Sequence, residues 1–316
     1  MVQQWKSIVV VISDPHRTQQ RALAKAAAIA MGCDARLTLL NTFMVPIPPA
    51  GGEAMSSQDV LRAASDERQQ RLERLAKPLR AKGLSVSSVV EWDFPPHEAI
   101  VRFVVKHDPD LVVAESQRHN PLARVFLANT DWELIRACPC PLWFVRSRSL
   151  PKKPKVLVAV DPRHTHAKPS QLDDRLLAAA TQLVNQLGGS IVIAHVYEPL
   201  ASGATLMEPI RLPLSLQRAR DFDAATKKVV DQLAIRHSIK PANRILQTGD
   251  AVHALPAIAA KLKTDVLVMG AVSRSRLERP FIGNTAEKVI DHVDCDVLVV
   301  KPANFKTSVK RVRARL

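Results

Sequence analysis

Short apolar runs alternate along this chain with longer stretches in which apolar residues recur every three or four positions. The run Ser7 to Ile12 is β-branched and apolar, and Asp14-Pro15 follows it. Gln20 to Met31 is Ala-rich and reads as a helix, and Arg36 to Leu40 as a second strand. A loop with Pro46, Pro48 and Pro49 leads into a long charged helix over Asp59 to Ala81. Ser85 to Val90, Asp110 to Ala114 and Pro141 to Val145 are further strands. They are separated by helices over His97 to Lys106 and Asn129 to Ala137. Continuous apolar strands alternating with amphipathic helices predict a parallel sheet covered on both faces.

The same order then recurs. Lys155 to Val160 runs into Asp161-Pro162, as the first strand runs into Asp14-Pro15. Ser190 to His195, Asn243 to Gln247, Asp265 to Met269 and Asp296 to Val300 are the next strands, with a long helix near Leu216 to Arg236. Residues 110–146 align without a gap on the second half at an offset of 155, placing Asp110 on Asp265, Cys140 on Cys295 and Arg146 on Lys301. Two halves that each complete a five-stranded α/β unit indicate duplication rather than a solenoid. The expected organisation is a first domain over 1–147, a linker over 148–154, a second domain over 155–302 and a basic tail over 303–316.

Charge changes this picture at one end. The net charge is +15, of which residues 1–150 carry +4 and residues 151–316 carry +11. No acid follows Asp296, whereas Lys301, Lys306, Lys310, Arg311, Arg313 and Arg315 do. Such a tail reads as a flexible solubilising segment, or as a weak contact for nucleic acid or an anionic surface. Aromatic residues are only 4% of the chain, a poor basis for stacking single-stranded nucleic acid. No apolar run approaches the length needed to span a bilayer, and the start lacks a signal-like apolar core, so a cytoplasmic protein is expected. Cys33, Cys138, Cys140 and Cys295 are too few and too irregular for a disulfide framework, and they read as buried side chains.

In an open parallel sheet, ligands bind beyond the carboxyl ends of the strands where strand order reverses. Asp14 and Asp161 follow the first strand of each half and should line that crevice, as should the segment after each fourth strand. In the second half this segment holds Gly270, Ser273, Arg274, Arg276, Arg279, Gly283, Asn284 and Thr285. Glycine there permits close backbone approach, the helix opened by Gly283-Asn284-Thr285 favours an anion, and the arginines suit phosphate. The alternative reading is purely structural: Gly270 makes a turn, Asn284 or Thr285 caps a helix, and the arginines are solvated.

These residues also carry a family resemblance. The chain resembles a tandem universal stress protein over about residues 5–302, through the opening strands with their Asp, the glycine segment after the fourth strand, and the closing strands Pro141 to Val145 and Val297 to Lys301. The resemblance implies two Rossmann-like domains of the adenine-nucleotide α-hydrolase-like kind. ATP-binding members of the family carry G-x2-G-x9-G-[ST]. Gly270 and Gly283 match it here, while Ser273 replaces the middle glycine and Asn284 the final hydroxyl residue. Asp161 matches the position that faces adenine. In the first half Glu115, Arg118, Ala128 and Asn129 occupy the motif positions, so no glycine survives there. ATP or another adenine nucleotide is therefore implied only for the second half, and no cofactor is fixed. The resemblance also implies self-association through the closing strands, within the chain or as a homodimer.

Other chemistry is weaker. His164, His166 and His195 have a spacing that zinc can use, although solvated loop histidines are the simpler reading and no metal site is assigned. His97 and His253 recur before the third helix of each half without a triad that can be argued. No nucleophile elbow, zinc-protease motif or complete Walker motif is present, so no catalytic residue is assigned. The expected function is a non-enzymatic stress-response protein acting by ligand-controlled association. The alternatives are nucleotide binding with slow hydrolysis in the second domain, or a hydrophobic, lipid-like ligand in a repurposed crevice.

Overall fold

A computed structural model describes residues 4–44, 57–115, 129–146, 151–163, 171–198, 212–271 and 284–310. The described residues form two compact units. The first contains residues 4–146 and 304–310, and the second contains 151–271 and 284–303.

In the first unit the order is β1 (Ser7–Val11), α1 (Arg21–Cys33), β2 (Arg36–Phe43), α2 (Ser57–Arg80), β3 (Val86–Trp92), α3 (Pro96–His107), β4 (Leu111–Glu115), α4 (Asn129–Ala137) and β5 (Leu142–Val145). The strands run side by side as β3-β2-β1-β4-β5, all parallel. The chain steps outward from β1 to β3 and then returns to β4, so the right-handed crossover rule puts α1 and α2 on one face and α3 and α4 on the other. The order reverses between β1 and β4, which opens a crevice beyond their carboxyl ends.

The second unit repeats this design. It holds β6 (Lys155–Ala159), α5 (Leu172–Leu187), β7 (Ser190–Tyr197), α6 (Leu212–Arg236), β8 (Arg244–Thr248), α7 (Ala251–Leu262), β9 (Val266–Gly270), α8 (Asn284–His292) and β10 (Asp296–Val300). Its strand order is β8-β7-β6-β9-β10, again all parallel. Among the described residues no helix is long and apolar enough to cross a membrane.

Each core lies between the sheet and its helices. The central strands are buried on both faces, as a doubly covered parallel sheet requires. Beyond the expected Leu40, β2 continues through Asn41 and Thr42 to Phe43. The buried Asn41 amide donates from Nδ2 to the Ile12 carbonyl at 2.6 Å, which lets a polar residue sit inside an apolar strand.

Two matched aspartates set the register of the first strands. The Asp110 carboxylate accepts the backbone N–H groups of Lys6 at 2.7 Å and Ser7 at 2.9 Å. The Asp265 carboxylate accepts that of Lys155 at 2.7 Å, where Pro154 has no N–H to offer. Gly188 ends α5 with φ +70°, and a Cβ on the next residue, Gly189, would collide with the Pro154 carbonyl.

All four cysteines are buried. The sulfurs of Cys138 and Cys140 lie 3.7 Å apart as thiols. The neighbouring Cys138 thiol and burial raise the pKa of Cys140 well above its ordinary value, and burial does the same to Cys33 more modestly.

The C-terminal segment differs from a free tail. Over residues 304–310, half-buried Phe305, Thr307 and Val309 alternate with exposed Lys306, Ser308 and Lys310, and the segment belongs to the first compact unit. Burying every second side chain explains how so basic a sequence lies down. Deleting residues 304–316 is expected to lower the Tm, at about 2–4 °C for each kcal/mol lost in a protein of this size. A thermal scan with an unchanged midpoint would show that Phe305 and Val309 contribute nothing.

Candidate functional site

The sequence match between Asp14 and Asp161 slips by one residue in the folded chain. Ile8 pairs with Leu111 on β4, and Val156 pairs with Val266 on β9. Leu111 and Val266 are equivalent, so Ile8 is equivalent to Val156 and Asp161 falls on Ser13. Asp14 lies one step further along. It caps its own turn through a 2.9 Å bond from the His16 N–H to its Oδ1. The first domain thus lacks both the motif glycines and an acid at the Asp161 position.

At the crevice of the first domain, Glu115 ends β4 at the place of the first motif glycine. Its side chain is only 14% exposed and meets two guanidinium groups. Glu115 Oε1 lies 3.6 Å from Arg17 Nη1 and 3.7 Å from Arg21 Nε. Arg17 also approaches Asp14 at 3.7 Å, and Arg21 Nη1 donates to the Arg146 carbonyl at 3.3 Å, just past β5. The place of the first motif glycine is therefore taken by a carboxylate that two guanidinium groups face. The Arg68 guanidinium lies 4.6 Å from the centre of the Phe43 ring, a cation–π contact between α2 and the end of β2.

The second crevice is built differently. Gly270 ends β9 and contributes no side chain. The Asp161 N–H donates to Asp173 Oδ1 at 3.1 Å, which joins the end of β6 to the first turn of α5. Asp161 Oδ1 is 4.0 Å from Nδ1 of the buried His195. That nitrogen is 3.0 Å from the Val160 carbonyl. A carbonyl only accepts, so Nδ1 carries the proton. His195 thus does in this domain what Asn41 does in the first.

The His195 ring stacks on Tyr197 at 5.7 Å, and Tyr197 lies 5.9 Å from Phe222 of α6. Arg163 covers Phe222 at 4.0 Å and donates to the Thr226 hydroxyl at 2.8 Å. The Tyr197 hydroxyl donates to Asp223 at 2.9 Å. Burial, with help from that carboxylate, pushes the Tyr197 pKa up to about 12, so it stays a donor across the physiological range. Arg175, in the first turn of α5, donates from Nε to the Lys301 carbonyl at 3.0 Å.

Of the residues expected to bind a ligand, Asp161 and Gly270 stand at the carboxyl ends of β6 and β9, and Thr285 is half-buried in the first turn of α8. Asn284 is the first residue of α8, as Asn129 is of α4. Ser273, Arg274, Arg276, Arg279 and Gly283 lie outside the described residues, as do Arg118 and Ala128 in the first half. His164 and His166 also lie outside them, and His195 serves the hydrogen bond above. Among the described residues no group of three or more His, Cys, Asp or Glu is placed to hold a metal ion. His97 is half-buried, and burial lowers its pKa. His253 is exposed and bonds Asp250 at 2.8 Å. Reading by motif missed Arg21, Arg175, Asp173, Tyr197 and Phe222. Carrying the repeat into the first helices would have paired Arg21 with Arg175.

Two doubly wound α/β domains in tandem, each with a crevice at the reversal of its strand order, define the class of this protein. The chain belongs to the universal stress protein family, whose sequence model matches residues 4–146 and again 154–301. Universal stress protein E of Salmonella typhi is 30% identical over 244 residues, covering 74% of each chain. Universal stress protein E of Photorhabdus laumondii is 26% identical over 322 residues, covering 98% of this chain and 99% of its own. A functionally unknown protein of Pseudomonas aeruginosa has the same fold, with TM-score 0.73 and 24% identity, covering 95% of this chain and 94% of its own. A universal stress protein of Archaeoglobus fulgidus has TM-score 0.65 at 16% identity, covering 95% of this chain and 98% of its own. The protein is a stress-response protein of this family.

Proposed function

We propose that the chain acts as a non-enzymatic cytoplasmic stress-response protein whose second domain takes an adenine nucleotide, and whose association responds to that ligand. The observation that carries the reading is the contrast at the ends of two equivalent strands. Glu115 ends β4 with its carboxylate held by Arg17 and Arg21, whereas Gly270 ends β9 with no side chain. A phosphate-bearing ligand meets a fixed negative charge in the first crevice and an open backbone in the second. Asp161 stands at the adenine-facing position of the motif, with the aromatic pair Tyr197 and Phe222 nearby. Native mass spectrometry of the purified full-length protein tests this in one measurement. A mass increment of one adenine nucleotide per chain is expected, and a lipid-sized increment would replace this reading with that of a hydrophobic carrier.

Association is assigned to the closing strands. β5 and β10 come last in the strand orders of their own units, and all four residues of β5 and all five of β10 are buried. An apolar edge strand left open pairs with another chain. Residues 1–150 and 151–316 expressed apart are expected to self-associate or to lose stability. Two monomeric halves, each as stable as in the whole chain, would reject this pairing.

A further inference from the structure

We infer that Arg175 and the bare strand end at Gly270 form an oxyanion seat in the second domain, equivalent to the seat that Glu115 fills in the first. The inference rests on the second crevice being the ligand-binding one, and it assigns the group that holds the ligand's anionic end.

The equivalence follows from strand register. Glu115 pairs with Val145, and Arg21 donates to the carbonyl of the next residue, Arg146. Gly270 pairs with Val300, and Arg175 donates to the carbonyl of the next residue, Lys301. Each arginine lies in the first turn of the first helix of its domain and is anchored by one N–H to the chain just past the last strand.

The two sites differ in what meets the rest of the guanidinium. In the first domain Glu115 Oε1 lies 3.7 Å from Arg21 Nε. In the second, Gly270 cannot provide a carboxylate. Among the described residues, the half-buried Arg175 has the Lys301 carbonyl as its hydrogen-bonding partner and no ion pair. A half-buried guanidinium with most of its donors not bonded to the protein favours a planar or tetrahedral oxyanion, and phosphate and carboxylate both suit its fork. The first domain shows within the same chain which charge completes such a seat.

The experiment is isothermal titration of the full-length protein with inorganic pyrophosphate and, separately, with ATP. One pyrophosphate per chain is expected for the wild type, and Arg175→Gln should weaken it at least tenfold. Gly270→Glu, which copies the first domain, should do the same. Glu115→Gly, which copies the second domain, should raise the stoichiometry from one to two, and this gain does not depend on how well the second domain tolerates substitution. Arg175→Gln that keeps its Tm and binds within twofold of the wild type would overturn the seat. So would Glu115→Gly with no second site, because the equivalence would be lost. Wild-type binding of pyrophosphate without ATP would keep the seat and reject the adenine reading. ATP binding that ignores Arg175→Gln would do the reverse. Wild-type protein that binds neither would reject both.

Discussion

Gly283→Val is expected to weaken ATP binding by more than tenfold, which corresponds to about 1.4 kcal/mol. Gly283 immediately precedes α8, the helix that begins at Asn284. A ligand phosphate reaching the first N–H groups of that helix needs the backbone in front of it uncovered. A branched side chain there is expected to block that approach. The matching change in the first domain, Ala128→Val, is expected to leave ATP binding unaltered. There the position already carries a Cβ, and Glu115 with its two arginines occupies the crevice. Titration of both variants with ATP decides between outcomes. Equal losses would mean that the crevices are coupled and that the asymmetry drawn from Glu115 and Gly270 is wrong.

The largest stability effect is expected at Trp143. This residue is the middle of β5 and is fully buried, and its indole nitrogen finds no hydrogen-bond partner among the described residues. Trp143→Ala removes the largest of the buried side chains and should cost about 3–5 kcal/mol, the usual range for an aromatic core truncation. Trp143→Phe retains a ring and deletes a donor that is already unsatisfied, so it should cost far less. Urea denaturation of the two variants measures the difference. A Phe variant as unstable as the Ala variant would show that the indole N–H is bonded after all.

The elements that the sequence made legible are those whose signal is local. Asp296 to Val300 is an unbroken apolar run and is a strand over that same span. Asp110 and Asp265 could be matched by offset alone. Their purpose was hidden because the N–H groups that Asp110 holds lie 103 and 104 positions away. The sequence pattern ends the second strand at Leu40, before Asn41, and closes its counterpart at His195, which is also a candidate zinc ligand. Both sit inside strands, because each bonds the equivalent carbonyl, of Ile12 or Val160, just past the strand next to it. The glycine motif pointed to Gly270 from a short stretch of chain. Arg175 gave no such sign, since the carbonyl that orients it is 126 residues away. A motif reports the part of a site that one loop carries, and strand register assembles the rest.

The buried thiols give the molecule a built-in record of how it opens. Cys33, Cys138 and Cys140 belong to the first unit and Cys295 to the second. Burial withholds them from reagents, and the raised pKa values of Cys33 and Cys140 keep little of the reactive thiolate. A thiol-labelling agent therefore reaches each sulfur only when the structure around it parts, at a rate set by the local opening free energy. Mass spectrometry of labelled peptides over time would rank the two halves by how often they breathe, and the ranking with and without ATP would show which half a nucleotide holds shut.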